Sequence, residues 1–322
     1  MNAMETSYSW NHAIHNGSRQ MVDELTNTLD CYGLLFYIQF GVMVFLSIPV
    51  VFGNILVILA VYQNHNLRTI PNCFIVSLAI ADTLVGVSGT PMKALLYGLG
   101  GVTEKWTCVV ICIFAFNPIG ASLIHLMAIG IDRYIAILHP LHYHQWITMS
   151  RVKVVIAILL TYCLVAFVPT LILNDSTHNN CYELIRPLMR EPGMYVFVLG
   201  FAIPFITMVI MYLRIFSTAR HHLRRIYPNL EETQQQHYMK RELKAAITPC
   251  LVLGVLFICW IPQFIDAAMN RYELCSAAER FIADVFILIN SGANPLIYAL
   301  LNKEFRQNFR KSIFKMKGKL CK

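Results

Sequence analysis

"TCVVICIFAFNPIGASLIHLMAIGIDRYIAIL", residues 107–138, is a run of mostly apolar side chains that ends beside an acid and a base, Asp132 and Arg133. As a helix it would rise about 48 Å, at 1.5 Å per residue. The hydrocarbon core of a bilayer is only about 30 Å thick. The segment must therefore tilt or project into water at one end. The ionised pair stands near such an end, where a long side chain reaches the interface and keeps its stem in apolar surroundings.

The rest of the chain supports a membrane setting. Of 322 residues, 57% are hydrophobic and 14% charged. Soluble domains carry about 25% charged residues. Apolar stretches near the spanning length predict seven spans: Phe36–Tyr62, Ile70–Leu96, Thr107–Leu138, Val152–Leu173, Met194–Thr218, Leu243–Met269 and Ala277–Leu301. Cationic residues crowd the connection before the sixth span (Arg220, Arg224, Arg225, Lys240, Arg241) and the tail (Lys303, Arg306, Arg310, Lys311). Such residues stay cytoplasmic, so the tail is expected inside and the N-terminus outside. The net charge of +8 then marks a membrane-lipid surface and not a nucleic-acid partner.

The expected fold is an all-α membrane protein. Residues 1–33 form an extracellular N-terminal region, 34–302 a seven-transmembrane helix bundle, and 303–322 a short amphipathic helix with a cytoplasmic tail. In that last region Phe305, Phe309 and Ile313 share one face, which predicts a helix lying on the inner leaflet. Residues 1–30 have no apolar region of signal-peptide kind, so the first span is expected to act as its own targeting signal. Asn16 and Asn174 sit in glycosylation patterns on the expected outer face. Cys73, Cys163, Cys250 and Cys259 fall within or at inner ends of spans. Cys31, Cys108, Cys112, Cys181 and Cys275 fall on or near the outer side, where disulfides are permitted.

Polar groups inside spans are costly and mark function by default. Asn54, Asp82, Ser122, Asn290 and Asn294 are predicted to converge. They are expected to serve as hydrogen-bonded glue between helices and, compatibly with that, as an oxygen-lined site for a sodium ion, with Asp82 and Ser122 as its ligands. No other cofactor is expected. Pro118, Pro204, Pro249, Pro262 and Pro295 interrupt spans and permit kinks. His125 is the one mid-span histidine weighed as catalytic. It has no acid or cysteine at ligand spacing, so packing is the stronger reading and an enzyme is not expected. Transporters carry repeats or paired broken spans, and neither pattern is evident here.

Taken together, "IDRYIAILHPLHY" (131–143), "FICWIP" (257–262), "NPLIY" (294–298) and the Cys108/Cys181 pair, in this order along seven spans, resemble the rhodopsin-like (class A) G-protein-coupled receptors. The resemblance runs from about Gly33 to Lys317 and implies a non-enzymatic receptor in the plasma membrane whose partner is a heterotrimeric G protein. It implies a disulfide between Cys108 and Cys181. It also implies a latch in which Asp132 and Glu242 hold Arg133 until the bundle opens, when Tyr212 and Tyr298 support the freed arginine. The family usually carries a tryptophan in mid-segment four, whereas "VVIAILLTYCLVAF" (154–167) has none.

Within that family, "MAIGIDRYIAILHPLHY", "YLRIFSTARHHLRRI", "KRELKAAI", "EFRQNFRKSIF" and "CYE" are most similar to adenosine receptors. The likeness is mainly cytoplasmic. Where those receptors place an asparagine and a histidine on the ligand, this chain has Ala267 and Leu288. Where amine receptors place an aspartate, it has Ala115. The resemblance implies a small-ligand pocket built from Phe116, Ile119, Val196, Trp260, Gln263 and Phe264, with Lys93, Glu183 and Asp284 adding charge near its mouth. Lys93 and Asp284 either brace each other or meet charges on the ligand. An amine or lipid bound in an unconventional way, or high activity without ligand, are the alternatives to a nucleoside-like ligand.

Overall fold

The computed structural model describes residues 34, 36–98, 105–165, 203–226, 251, 254–266 and 277–320. The chain divides into two units, Met1–Val42 and Met43–Lys322. In the first, Phe36 packs against Tyr37 and Phe40, with ring centroids 5.4 and 6.1 Å apart.

The helices are α1 (Phe36–Gln63), α2 (Ile70–Leu84), α3 (Thr90–Gly98), α4 (Lys105–Leu138), α5 (Pro140–Trp146), α6 (Met149–Val165), α7 (Ile203–Ile226), α8 (Gly254–Asp266), α9 (Ala277–Leu301) and α10 (Lys303–Leu320). Among the described residues, four helical runs are long and apolar enough to cross a membrane: α1, Ile70–Leu95 through α2 and α3, Val109–Leu138 of α4, and Ala278–Leu301 of α9. Shorter apolar helices run over Ile203–Ile215 and Gly254–Asp266. The rest of the fourth, fifth and sixth expected spans lies outside the described residues.

Side-chain burial inverts the pattern of a soluble protein. Phe45, Ile158, Leu213 and Leu296 are exposed, while Asn54, Asp82, His125 and Asp284 are buried. Apolar surface facing outward suits hydrocarbon. Polar groups turned inward escape it.

Local chemistry sets the helix ends. Pro71 lies in the first turn of α2, where its missing N–H costs nothing. The Asn302 side-chain oxygen accepts from the N–H groups of Glu304 and Phe305, at 2.9 and 3.4 Å, and so caps the start of α10. The apolar face of α10 turns toward the bundle. Phe305 and Phe309 are buried against Leu56, Val57, Leu67 and Tyr298 of the bundle, and Phe305 lies 5.8 Å from the Tyr298 ring. Protein surface offers these rings closer packing than lipid chains do. Arg306, Arg310 and Lys311 remain exposed.

Between α2 and α3 the chain makes a π-helical turn, Val85–Gly89, and the Thr90 hydroxyl donates to the Val85 carbonyl at 3.4 Å. Such a turn adds a residue to the helical register. Every later side chain is thereby rotated, and Lys93 is among the residues turned inward. Small residues let helices close up here. A Cβ on Gly86 would lie 2.8 Å from Val51 Cγ2, and one on Gly292 would lie 3.2 Å from Val50 Cγ2. Gly120 of α4 meets nothing within 4 Å. Gly86→Leu should therefore lower the thermal unfolding midpoint of the purified protein, while Gly120→Leu should leave it unchanged or raise it. Equal midpoints for the two variants would contradict this packing.

Candidate functional site

Among the described residues of the second unit, three groups of buried polar side chains stand out. The middle one centres on Asp82 of α2, a fully buried carboxylate. The Ser122 hydroxyl of α4 donates to its Oδ1 at 2.6 Å, and the Asn294 amide of α9 donates to its Oδ2 at 2.8 Å. One acid therefore joins three helices. Beside it, Pro295 has no N–H to give to the carbonyl four residues earlier, Ser291. The Asn54 amide of α1 supplies that missing donor at 3.1 Å and also donates to the Val50 carbonyl at 3.0 Å. The other end of the same amide, Asn54 Oδ1, is buried without a hydrogen-bond partner.

Of the expected cluster, Asn54, Asp82, Ser122 and Asn294 are brought together. Asn290 is buried one turn earlier on α9, and among the described residues no hydrogen bond joins it to Asp82. Ser291 was not anticipated from sequence. It stands beside Asp82, close enough to influence it, with its hydroxyl outside hydrogen-bond alignment.

The second layer lies about 15 Å along the helices, eleven residues past Asp82 and ten before Asn294 at 1.5 Å per residue. Lys93 Nζ of α3 and Asp284 Oδ1 of α9 are 2.5 Å apart. Their side chains are only 5% and 3% exposed. Of the two readings open in the sequence, this arrangement matches the one in which Lys93 and Asp284 brace each other. Both lie inside the bundle, committed to each other, because an ammonium and a carboxylate away from water are tolerable only as a pair. Lys93 Nζ also lies 6.0 Å from the centroid of the Phe116 ring. Gln263 and Asp266 of α8 are near Asp284 as well. Ile119, Ile287, Leu288 and Trp260 pack together below the pair, and Phe264 meets Phe205 edge to face at 6.3 Å. Cys112, expected near the outer surface, is buried in α4 as a free thiol.

The third layer sits at the opposite end of α4. Asp132 is buried, and Arg133 is about a third exposed. Arg133 Nη2 lies 3.0 Å from Asp132 Oδ2, an ion-pair distance without hydrogen-bond alignment. The other carboxylate oxygen accepts from the Tyr143 hydroxyl at 2.8 Å. Tyr143 was missed as a site residue although it ends the "IDRYIAILHPLHY" motif. Only the turn of the short helix α5 brings it back over α4. Burial, reinforced by the bond to Asp132, pushes the Tyr143 hydroxyl pKa upward. It therefore stays a protonated donor throughout the neutral range. Tyr212 and Tyr298 are buried nearby on α7 and α9, with the Tyr212 hydroxyl 3.5 Å from where a Cβ on Gly130 would be. Glu183, Val196, Glu242, Cys181, Asn16 and Asn174 lie outside the described residues, as does the side chain of Cys108.

Comparison with known proteins agrees with this architecture. Residues 53–298 match the family described as 7 transmembrane receptor (rhodopsin family). The chain is 32% identical to adenosine receptor A2a of Canis lupus familiaris over 83% of its own length and 70% of that protein. It is 32% identical to adenosine receptor A2b of Homo sapiens over 81% of its length and 85% of that protein. It is 30% identical to the histamine H2 receptor of Cavia porcellus over 82% and 76%. The chain belongs to the rhodopsin-like family of seven-transmembrane, G-protein-coupled receptors. It is thus a membrane-embedded signalling protein and not an enzyme.

In such a receptor Tyr143 should favour the resting arrangement of Asp132. A hydrogen bond of this kind contributes about 1 kcal/mol, or roughly fivefold in an equilibrium. Tyr143→Phe should raise ligand-free nucleotide exchange on a G protein by a few-fold at matched surface expression. Unchanged exchange would show that the bond does not hold the resting state.

Proposed function

We propose that the chain senses an extracellular small ligand and activates a heterotrimeric G protein from the plasma membrane, N-terminus outside, with adenosine-receptor-like coupling machinery. The observation that carries this reading is the pairing of two buried charged layers at opposite ends of α4. One, Asp132 with Arg133 and Tyr143, suits a latch on the G-protein side. The other, Lys93 with Asp284 beside Phe116, suits a ligand site. A two-state bundle biased at one end is then read at the other.

Adenosine fits the ligand layer less well than it fits the coupling end. Leu288 is fully buried among apolar side chains and offers nothing to a ribose. Losing a buried polar contact to a ligand costs a large factor in affinity. The second reading, an amine or lipid bound unconventionally, is favoured by Asp284, the buried acid on α9, since α4 has only Ala115 to offer.

The donor chemistry of the middle layer fits a small hard cation. Asp82 and Ser122 would hold sodium through carboxylate and hydroxyl oxygens, and the unsatisfied Asn54 Oδ1 is a further oxygen acceptor in the cluster. The ion would supply the positive charge that the buried carboxylate lacks.

Cyclic AMP in cells expressing the receptor, with adenosine and with an amine and lipid panel, separates these readings. The expected result is G-protein activity in which adenosine is weak or silent. A saturable adenosine response that is lost in Phe264→Ala would contradict the reading of the ligand layer and assign the pocket to adenosine.

A further inference from the structure

Arg151 of α6 reaches back along the chain to α5. Its Nη1 donates to the carbonyls of Gln145 and Trp146, each at 3.0 Å. Those carbonyls close the last turn of α5, where a helix has no donors of its own to offer. A helix of seven residues does not hold itself in water. α5 rests on this arginine clamp, on the stacking of His142 with Trp146 at 5.1 Å, and on the bond from the Tyr143 hydroxyl to Asp132. The clamp and the latch bond therefore act on the same short helix. Among the described residues the hydrogen-bond acceptors of Arg151 are both neutral carbonyls, and no carboxylate forms an ion pair with it.

Ser150 stands beside the clamp. It is exposed in the first turn of α6, and Ile147 and Thr148 just before it are not helical. Helix ends of this kind fray readily. Two exposed cations follow the serine, Arg151 and Lys153. A hydroxyl in such a place, followed by positive charge, suits the acidic substrate groove of a basophilic serine kinase. A phosphate on Ser150 would carry a charge of about −1.5 to −2 and three acceptor oxygens. Arginine bonds to phosphate about twice as strongly as to a neutral carbonyl. The start of α6 also favours negative charge.

We propose that Ser150 is a phosphorylation site, and that its phosphate draws Arg151 off the Gln145 and Trp146 carbonyls, loosens α5 and withdraws Tyr143 from Asp132. This rests on the receptor reading above and adds covalent control to its latch. In the transfer, Ser150 Oγ bonds to the γ-phosphorus of ATP and the bond from that phosphorus to the β-phosphate oxygen breaks. ADP leaves, and the hydroxyl proton passes to the carboxylate base of the kinase.

The test uses the full-length receptor in lipid nanodiscs, treated with protein kinase C and magnesium ATP. Mass spectrometry should locate phosphate on Ser150. Amide hydrogen exchange over residues 143–147 should then become several-fold faster. Ligand-free nucleotide exchange on a G protein should rise a few-fold, about as far as in Tyr143→Phe. Phosphorylation of Tyr143→Phe should add nothing further, because both changes act through one bond. Ser150→Ala should keep the unphosphorylated behaviour under the same treatment. Arg151→Gln should loosen α5 without kinase.

A wild type that takes no phosphate on Ser150 would overturn the proposal. So would a phosphorylated receptor whose α5 amides exchange at the original rate, or a response in Tyr143→Phe as large as in the wild type. Faster α5 exchange on phosphorylation, with no G-protein activity in any sample, would keep the switch and contradict the receptor reading.

Discussion

A carboxylate with no exposure to solvent, Asp82, must be met by donors or a cation wherever the chain folds around it. Inside a bilayer the requirement is stricter, because neither water nor lipid chains can supply those donors. Ser122 and Asn294 meet it from α4 and α9. Two of these helices reach the other polar groups as well: α9 carries Asp284, and α4 carries Asp132. The two hydrogen bonds of Asp82 tie α2 to α4 and α9.

Pro295 adds a second constraint. It frees the Ser291 carbonyl, and Asn54 of α1 answers with its amide. A break in one helix is thus repaired by a side chain from another. The repair leaves Asn54 Oδ1 unsatisfied beside a buried acid. These groups suit a bundle with two arrangements, since each carries hydrogen-bonding capacity that a small shift would redistribute. The Lys93–Asp284 pair and the Asp132–Arg133 pair stand at either end of that centre, about 15 Å from it in each direction by helical rise.

Much of this was legible in the sequence, because lipid imposes a simple rule. Apolar runs gave the spans, and each interior Asp or Asn stood out against them. Asn54, Asp82, Ser122, Asn290 and Asn294 were picked out for that reason, and Ser122 and Asn294 bond to Asp82 in the fold. The pairing of Lys93 with Asp284 was one of two readings open in the sequence, but its depth was not legible, since that depends on the π turn at Val85–Gly89, which shifts helical register without a sequence signal of its own. Its partner lies 191 residues away. Tyr143 escaped notice because its role needs the chain to reverse through α5, and local periodicity says nothing of that turn. Phe305 and Phe309 were correctly placed on one face of α10, but the pattern alone does not distinguish lipid from a neighbouring helix as the surface that covers them.

A sodium ion proposed at the Asp82 carboxylate would stabilise the three helices that meet there. The most direct measurement is the thermal unfolding midpoint of the purified receptor as sodium chloride replaces choline chloride at constant ionic strength, for wild type and Asp82→Asn. The account predicts a saturable rise with sodium in the wild type and none in Asp82→Asn. Identical midpoints in the two salts for the wild type, or an equal sodium response in Asp82→Asn, would contradict it.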